Sequence, residues 1–300
     1  MLQLQHLAEL FESHQAEAEV SVDGFEIGGE FFDFDESPAL MGVVNLSPGS
    51  WYRESVCLSP EAAIQRAFIL YAEGANLIDV GAESTLPNAE RVSAEDQTAQ
   101  LLPIVSELHK AGVPASVETY EAQVAEAVLN AGAEVINLTG SEQGAEIYGS
   151  VAEHDAAVII CHVQGPNVRA VGDYPLAEDP IPMLGEYFTR EIESATKAGV
   201  EKIFIDPGMG FYYANLQDGE SRVRHQMNTL INSFRLRSLG RPICQALPHA
   251  FDFFKNEVRS AESFFATLAA LGKTGLFRTH EVPRVKAVLD TLSAFDDWQK

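Results

Sequence analysis

The sequence predicts an α/β protein, a (β/α)8 TIM barrel at residues 39–300 that follows an N-terminal extension with a β-hairpin at residues 1–38. Short apolar runs of β type alternate eight times with helical patterns, which indicates parallel strands joined by helical crossovers. Each run is continuously apolar, as expected for a strand covered on both faces. Eight such β/α units, with no Ser/Gly/Pro-rich linker between them, favour one closed barrel, because an open doubly wound sheet usually has fewer strands.

The predicted elements follow one another in a regular order. We predict strands at residues 39–45, 77–82, 115–118, 135–138, 157–162, 202–206, 242–246 and 276–279. Helices are predicted at residues 60–74, 94–112, 121–132, 142–154, 181–199, 216–239, 261–272 and 282–295. Ser59 and Pro60 are typical of a helix start, and Gly112 and Gly132 of a helix end. The carboxyl ends of the parallel strands should therefore meet at one mouth of the barrel.

The first 38 residues precede the predicted barrel. Residues 20–36 alternate between apolar and polar types, which predicts a hairpin with its turn at Asp23-Gly24 or Gly28-Gly29. We expect this hairpin to plug the bottom of the barrel. Residues 1–18 are predicted to form an added short helix whose role the sequence does not indicate.

Composition and charge exclude several functions. The chain has 20 Lys and Arg against 44 Asp and Glu, a net charge of −24, which is too acidic for binding to nucleic-acid phosphates. Because only 7 of the 20 basic residues are Lys, this acidity fits either general solubility or a salty cytoplasm. No apolar run approaches the roughly 18 residues of a membrane span, and residues 1–17 lack the pattern of a signal peptide. We therefore expect a cytoplasmic protein without a membrane partner.

Several cysteines and histidines are predicted to be structural. The chain has three cysteines, at Cys57, Cys161 and Cys244. Their odd number and the absence of a CxxC spacing predict reduced thiols rather than disulfides or a zinc site. His162 is expected to be a core residue rather than a metal ligand, whereas His154 and His225 are expected at the surface of helices.

Polar side chains stand at the carboxyl ends of seven of the eight predicted strands, where barrel enzymes carry their chemistry. In chain order these are Asn45, Asp79 with Glu83, Ser84 and Thr85, Glu118, Asn137, His162, Asp206, and Arg278 with His280. Two carboxylates and an amide, from Glu118, Asp206 and Asn137, suit a flat ligand edge that offers several N–H donors. A second set suits an anion such as pyrophosphate, namely Arg278, His280, Asn45 and Thr85. The mouth is thus predicted to bind a donor-rich heterocycle beside an anion.

Six ordered motifs carry a resemblance to a known family. They are MGVVNLSP (41–48), GANLIDVGAESTLPNA (74–89), VETY with AGAEVIN (117–120 and 131–137), CHVQG (161–165), AGVEKIFIDPGMGF (198–211) and FRTHEV (277–282). Over residues 22–295 the sequence resembles the dihydropteroate synthase family of pterin-binding TIM barrels. The resemblance implies condensation of 6-hydroxymethyl-7,8-dihydropterin pyrophosphate with the aromatic amine p-aminobenzoate, in folate biosynthesis. It also implies a homodimer formed through the last helices.

The resemblance also implies roles for individual residues. Asn45 would bind pyrophosphate, through Mg²⁺ as its ligand, and Ser84 and Thr85 would contact the pyrophosphate or the substrate edge. The pterin would be held by Glu118, Asn137 and Asp206, with Phe211 and Val163 walling its ring. Arg278 and His280 would stabilise the pyrophosphate as it leaves.

The sequence departs from the family pattern in the loops around this site. Leu86 stands where an arginine is expected, and Ala250 where a lysine should contact the pterin; Lys255 or His249 could replace that lysine. In the loop after the first strand an acidic residue is lost at Gly49, and Trp51 and Arg53 could partly replace the lost contacts. On the third strand, Glu118 replaces a shorter Asp. These changes leave two alternatives open, a non-catalytic pterin-binding paralogue and a barrel that transfers methyl groups from a reduced folate. The retained Arg278-x-His280 pair argues against methyl transfer, because folates carry no pyrophosphate.

Overall fold

The computed structural model describes residues 1–50, 52–86, 89–247 and 251–299, and its centre is a barrel of parallel strands. A hairpin of β1 (Phe25–Ile27) and β2 (Glu30–Phe32) precedes β3 (Ala39–Asn45), β4 (Leu77–Gly81), β5 (Ala115–Thr119), β6 (Val135–Leu138), β7 (Ala157–Cys161), β8 (Lys202–Asp206), β9 (Cys244–Ala246) and β10 (Leu276–Thr279). The eight-stranded sheet has the order β8-β7-β6-β5-β4-β3-β10-β9. A parallel bridge between Ile205 and Ile243 joins its two edges and closes the barrel. The predicted TIM barrel is confirmed.

Helices surround the barrel. They are α1 (Leu4–Ser13), α2 (Gln15–Ala18), α3 (Pro60–Ala72), α4 (Ala94–Ala111), α5 (Ala122–Asn130), α6 (Gly144–Glu153), α7 (Ile181–Lys197), α8 (Gly219–Asn232), α9 (Phe251–Phe254), α10 (Val258–Leu271) and α11 (Val282–Gln299). The Ser59 and Ser93 side chains accept hydrogen bonds from backbone N–H groups in the first turns of α3 and α4, which fixes where these helices begin. Within the described part of the chain, every helix is too short or too polar to cross a membrane.

Alternating residues along each strand separate the barrel interior from the layer beneath the helices. Outward-facing residues such as Ile136 and Ile160 pack against the helices, whereas Val135 and Ile159 fill the interior. The hairpin packs its Ile27 and other apolar side chains against the first residues of the strands. It therefore closes the bottom of the barrel, and its turn is at Gly28-Gly29, where both residues have positive φ. A ligand would therefore enter at the opposite mouth, where the carboxyl ends of the strands lie.

The structure corrects two sequence expectations in the α8 region. The predicted helix at 216–239 is an α-helix only to Asn232, and residues 233–239 continue as a 3₁₀ helix. The Ser233 hydroxyl donates to the carbonyl oxygens of Leu230 and Gly272, which fixes this change of helix type against the end of α10. His225, expected at the surface, is buried with its ring 4.7 Å from that of Tyr174.

Candidate functional site

A cavity opens at the carboxyl ends of the strands and brings most of the predicted site residues together. Its lining includes Asn45, Ser84, Thr85, Glu118, Asn137, Asp206, Phe211, Arg278 and His280. These residues come from six different strands and the loops that follow them, so their assembly depends on barrel closure. The cavity holds about 860 Å³, its open mouth included. This space is within the range of small-molecule sites.

A buried network of charges forms the floor of the cavity. The Arg278 guanidinium donates from Nε to Asp79 Oδ2 at 2.7 Å and from Nη2 to Glu118 Oε2 at 2.6 Å. Asp79 also accepts hydrogen bonds from the Ser116 hydroxyl at 2.7 Å and from Asn137 Nδ2 at 3.1 Å. Because each buried charge has an opposite charge or a donor beside it, the burial cost of the network is offset.

Strand register sets the ligand-facing edge of this floor. Glu118 and Asn137 are direct neighbours on β5 and β6, and Cys161 and Asp206 are neighbours on β7 and β8. The Cys161 thiol donates to Asn137 Oδ1 at 3.2 Å, while the Asn137 amide nitrogen donates to Asp79. The Asn137 amide is therefore fixed in one orientation before any ligand binds.

Burial shifts the titration of the two floor carboxyl groups. Desolvation raises the pKa of Glu118 to about 7, an effect that the Arg278 charge opposes and that Asp79 and Asp206 reinforce. Desolvation likewise raises the pKa of Asp206 to about 6, although its oxygen accepts the Gly208 N–H at 2.7 Å. Both groups therefore ionise close to neutral pH, and the ionised carboxylate is the form that accepts N–H donors with both oxygens.

The opposite side of the cavity combines Asn45, His280 and an aromatic side chain. Asn45 Nδ2 donates to the Ser55 hydroxyl at 2.6 Å and lies 3.3 Å from His280 Nε2. The Tyr52 ring stacks on the imidazole with centroids 4.6 Å apart, and its hydroxyl donates to Glu281. This stack fixes the His280 ring plane at the mouth of the barrel.

The environment of His280 favours the neutral imidazole. Desolvation, with the nearby Arg278 charge, lowers the pKa of His280 to about 3. Because an amide nitrogen can only donate, the 3.3 Å contact of Asn45 Nδ2 with Nε2 favours the tautomer with its proton on Nδ1, which faces Glu262 Oε1 at 3.6 Å. An anion that entered beside this ring would raise its pKa, because negative charge stabilises the imidazolium.

Two loops form the upper wall of the cavity: the first loop is defined as residues 46–59, after β3, and the second loop as residues 82–93, after β4. The Ser84 hydroxyl donates to the Gly49 carbonyl at 2.9 Å and so joins the two loops. In the first loop, Glu54 pairs with Arg259, which lies in the first turn of α10. Described residues of the two loops are therefore tied to one another and, through Glu54, to α10.

Some predicted site residues lie elsewhere. Phe211 lines the cavity, whereas Val163 is buried in the apolar cluster of the barrel interior and is not part of the lining. Lys255 is exposed and also lies outside the lining, so it does not take the place of the lysine expected at 250. Trp51, His249 and Ala250 lie outside the described residues.

Sequence reasoning missed a second cation in the cavity. Arg222, in the first turn of α8, lines the cavity and donates from Nη2 to the Phe211 carbonyl at 3.3 Å. The sequence analysis also left Tyr52 out of the site and assigned no role to Asp79, although Asp79 is the centre of the floor network. Of these three, only Asp79 had a signal in the sequence, since a carboxylate inside an apolar strand requires buried partners.

The residues fit a Mg²⁺ ion only as a ligand of bound pyrophosphate. Among the described residues, no three His, Cys, Asp or Glu side chains form a metal-binding cluster. The Asn45 amide nitrogen contacts Ser55 and His280, which leaves its Oδ1 as the oxygen that could face a metal. Mg²⁺ commonly takes one or two protein oxygens together with substrate phosphates and water, and Asn45 would match that pattern.

Comparison with known proteins agrees with this geometry. The model of the pterin binding enzyme family matches residues 41–240, and the chain belongs to that family. Among its relatives, a dihydropteroate synthase from Synechocystis is 31% identical over 222 residues, covering 72% of this chain and 73% of the relative. A probable bifunctional folylpolyglutamate synthase/dihydropteroate synthase from Halobacterium salinarum is 30% identical over 96% of this chain, which spans only 34% of that relative.

A solved structure shares the architecture. Burkholderia cenocepacia dihydropteroate synthase complexed with 7,8-dihydropteroate superposes with a TM-score of 0.77 and 25% identity, covering 93% of this chain and 98% of the other. The predicted resemblance to dihydropteroate synthases is confirmed. The individual residue roles remain predictions.

Proposed function

We propose that the protein acts as a dihydropteroate synthase, a transferase that joins 6-hydroxymethyl-7,8-dihydropterin pyrophosphate to p-aminobenzoate in folate biosynthesis. The observation that carries this proposal is one cavity with acceptors on its floor and anion-compatible groups at its mouth. Glu118, Asn137 and Asp206 form the acceptor edge, while Asn45 and His280 lie beside the mouth. The family relationship and the relatives' activities support the same reaction.

The pterin would lie with its N–H-rich edge on the floor. Asp206 and Glu118 in their ionised forms would accept hydrogen bonds from the amino-pyrimidinone and the reduced ring. The fixed Asn137 amide adds an oriented dipole, and Phe211 offers an apolar wall to the ring face. The pyrophosphate would then extend towards Asn45, Thr85 and His280.

The reaction replaces one bond at the pterin methylene carbon. The C–O bond to pyrophosphate breaks, and the C–N bond to the aniline nitrogen forms, after which that nitrogen loses one proton to solvent. The buried carboxylates favour positive charge that develops on the pterin methylene. The departing anion is favoured by His280 and by the charge of Arg278, which Asp79 and Glu118 share. A Mg²⁺ ion held by Asn45 and the pyrophosphate oxygens would neutralise leaving-group charge when bound.

Two further properties belong to this proposal. We place the protein in the cytoplasm as a homodimer, with α10 and α11 at the contact. Its three cysteines are free thiols, as a reducing compartment requires. Leu271 and Phe264 of α10 are large exposed apolar side chains, which a partner helix would cover. Sedimentation at several concentrations tests the proposed dimer. A protein that stays monomeric at all concentrations would contradict it.

Two assays on the same protein test the proposed reaction. Calorimetric titration with 6-hydroxymethylpterin should give binding that Asp206→Asn weakens by about tenfold or more, because the variant loses a charge-assisted acceptor. Pyrophosphate release from the pterin pyrophosphate should depend on p-aminobenzoate. Arg224→Gln, on the exposed face of α8, is the matched control and should behave like the natural protein. Pterin binding without amine-dependent release would instead favour the non-catalytic alternative.

A further inference from the structure

Arg169 is an arginine outside the predicted site whose backbone is tied firmly to the barrel. It lies in the segment between β7 and α7, where the Val168 N–H donates to the Thr139 carbonyl at 3.0 Å. An antiparallel bridge joins Asn167 to Gly140 just beyond β6. The Arg169 N–H in turn donates to Asn167 Oδ1 at 3.0 Å. The side chain therefore starts from a fixed point beside the cavity.

The Arg169 guanidinium reaches into the second loop. Nη1 donates to the carbonyl oxygens of Ser84, at 2.6 Å, and of Leu86, and Nη2 donates to that of Ala89 at 2.6 Å. The side chain is only 2% exposed, and its Nε is 4.0 Å from Glu83 Oε2. One buried cation thus satisfies three backbone carbonyls along six residues of the loop.

These contacts determine where the upper wall of the cavity stands. Ser84 and Thr85 line the cavity, and the Ser84 carbonyl is itself one of the three acceptors. Through its hydroxyl, Ser84 also holds the Gly49 carbonyl of the first loop. The position of both loops therefore depends on a side chain that belongs to neither of them.

We propose that Arg169 is a positioning residue for the amine-binding step, because it fixes Ser84, Leu86 and Ala89 of the second loop. With the pterin on the floor, the amine would approach from the mouth, beside the wall that this loop forms. This inference rests on the proposed synthase function. Position 86, where the family pattern has an arginine within the loop, carries Leu86, whose carbonyl is one of the groups that Arg169 binds. In this chain, three carbonyls of the second loop, at Ser84, Leu86 and Ala89, are instead bound from the neighbouring β7–α7 segment.

The floor of the cavity is independent of Arg169. Glu118, Asn137 and Asp206 stand on strands and are held by the Arg278 network and by strand pairing. Loss of Arg169 should therefore weaken binding of the amine, which would approach past Ser84 and Thr85, and leave the affinity for the pterin on the floor unchanged. A general loss of stability would instead lower the affinity for both substrates together.

The test compares Arg169→Gln and Arg169→Lys with Arg224→Gln as the surface control. For each protein we would measure amine KM, kcat, the dissociation constant for 6-hydroxymethylpterin, and hydrogen exchange of backbone amides in residues 82–93. For Arg169→Gln we expect kcat/KM for the amine to fall by about 10²-fold, since misplacement by about 1 Å can cost that much. Pterin affinity should change less than about twofold, and the loop amides should exchange faster. Arg169→Lys, with one ammonium group for three carbonyls, should be intermediate.

Two results would overturn the proposal. One is an unchanged amine KM and unchanged loop exchange in Arg169→Gln; the other is an equal loss of pterin and amine affinity in both Arg169 variants. If Arg169→Gln fails to fold, Arg169→Lys decides by the same comparison. If the natural protein shows no amine-dependent turnover, the proposed synthase function fails. The loop exchange then reports separately whether Arg169 orders residues 82–93.

Discussion

The Arg278 guanidinium donates to Glu118 Oε2 at 2.6 Å and so connects β10 to β5 across the interior of the barrel. With Asp79 on the same guanidinium, the floor of the site is ordered as a charged network before a ligand arrives. Such preorganisation lowers the reorganisation that binding requires. It also makes the floor sensitive to the loss of any one charge.

Removal of the Arg278 charge should destabilise the protein as well as abolish activity. Arg278→Gln leaves Asp79 and Glu118 buried without their cation, which we expect to cost about 3–5 kcal/mol of unfolding free energy. Urea unfolding measures the loss. The double variant Asp79→Asn/Arg278→Gln should recover part of the stability, and no recovery would argue that Asp79 and Arg278 do not stabilise each other.

Pterin binding should strengthen as the pH rises. Burial raises the pKa of Glu118 to about 7 and that of Asp206 to about 6, and only the ionised groups accept two N–H donors. Titration with 6-hydroxymethylpterin, which carries no pyrophosphate to titrate, should show affinity rising between about pH 5 and about pH 8. Glu118→Gln should flatten the upper part of this profile. An affinity that falls with pH would contradict the assignment of these acceptors.

The same shifts affect the stability of the empty protein. Because the folded carboxyl groups have higher pKa values than unfolded ones, their favourable contribution is complete at low pH. It is lost as the pH rises through about 6 and about 7, the folded-state values of Asp206 and Glu118. The free energies of urea unfolding of the natural protein and of Glu118→Gln should therefore diverge in this pH window. Parallel dependences on pH would refute the raised pKa of Glu118.

Arg222 should contribute to binding of the anionic substrate. The cavity is lined by the carboxyl groups of Glu83, Glu118 and Asp206, so Arg222 offsets negative charge that would repel a pyrophosphate ester. Arg222→Ala should weaken the pterin pyrophosphate by about tenfold, the range of one charge-assisted contact. Lys255→Ala, at the exposed lysine outside the lining, is the control and should leave affinity unchanged. Equal effects of the two changes would show that only net charge matters.

Tyr52 should hold the first loop over His280 in two separable ways. Tyr52→Phe keeps the ring that stacks on His280 and loses the hydrogen bond to Glu281, whereas Tyr52→Ala loses both. We expect a loss of about 1 kcal/mol of stability for Phe and a larger loss for Ala. Amine KM should rise in the same order. An unchanged KM in Tyr52→Ala would show that this loop contact is not needed for turnover.

The barrel and most of the floor could be predicted from the sequence because both depend on local patterns. Apolar runs locate strands, and polar residues such as Glu118 and Asp206 at the strand ends must meet once the barrel closes. The contacts of loop residues were harder to predict. Arg169 and Arg222 reach carbonyls 83 and 11 residues away in the chain, at Leu86 and Phe211, and no periodicity specifies such contacts.

Side-chain environment also escaped the sequence. His225 occupies a helix in which polar residues are frequent, yet the side of α8 that carries it packs against Tyr174. Val163 stands only two residues beyond β7, where a change in direction decides between cavity wall and barrel interior. Such positions depend on the path of the backbone after a strand ends, which residue type alone does not set.

The central claim is that this cavity joins a pterin to an aromatic amine. The most direct test is to supply radiolabelled p-aminobenzoate and 6-hydroxymethyl-7,8-dihydropterin pyrophosphate and to quantify labelled dihydropteroate and pyrophosphate together. We predict one pyrophosphate for each dihydropteroate formed by the natural protein, and strongly reduced formation of both by Asp206→Asn. Tight pterin binding with no labelled dihydropteroate, under conditions where a known synthase turns over, would contradict the claim.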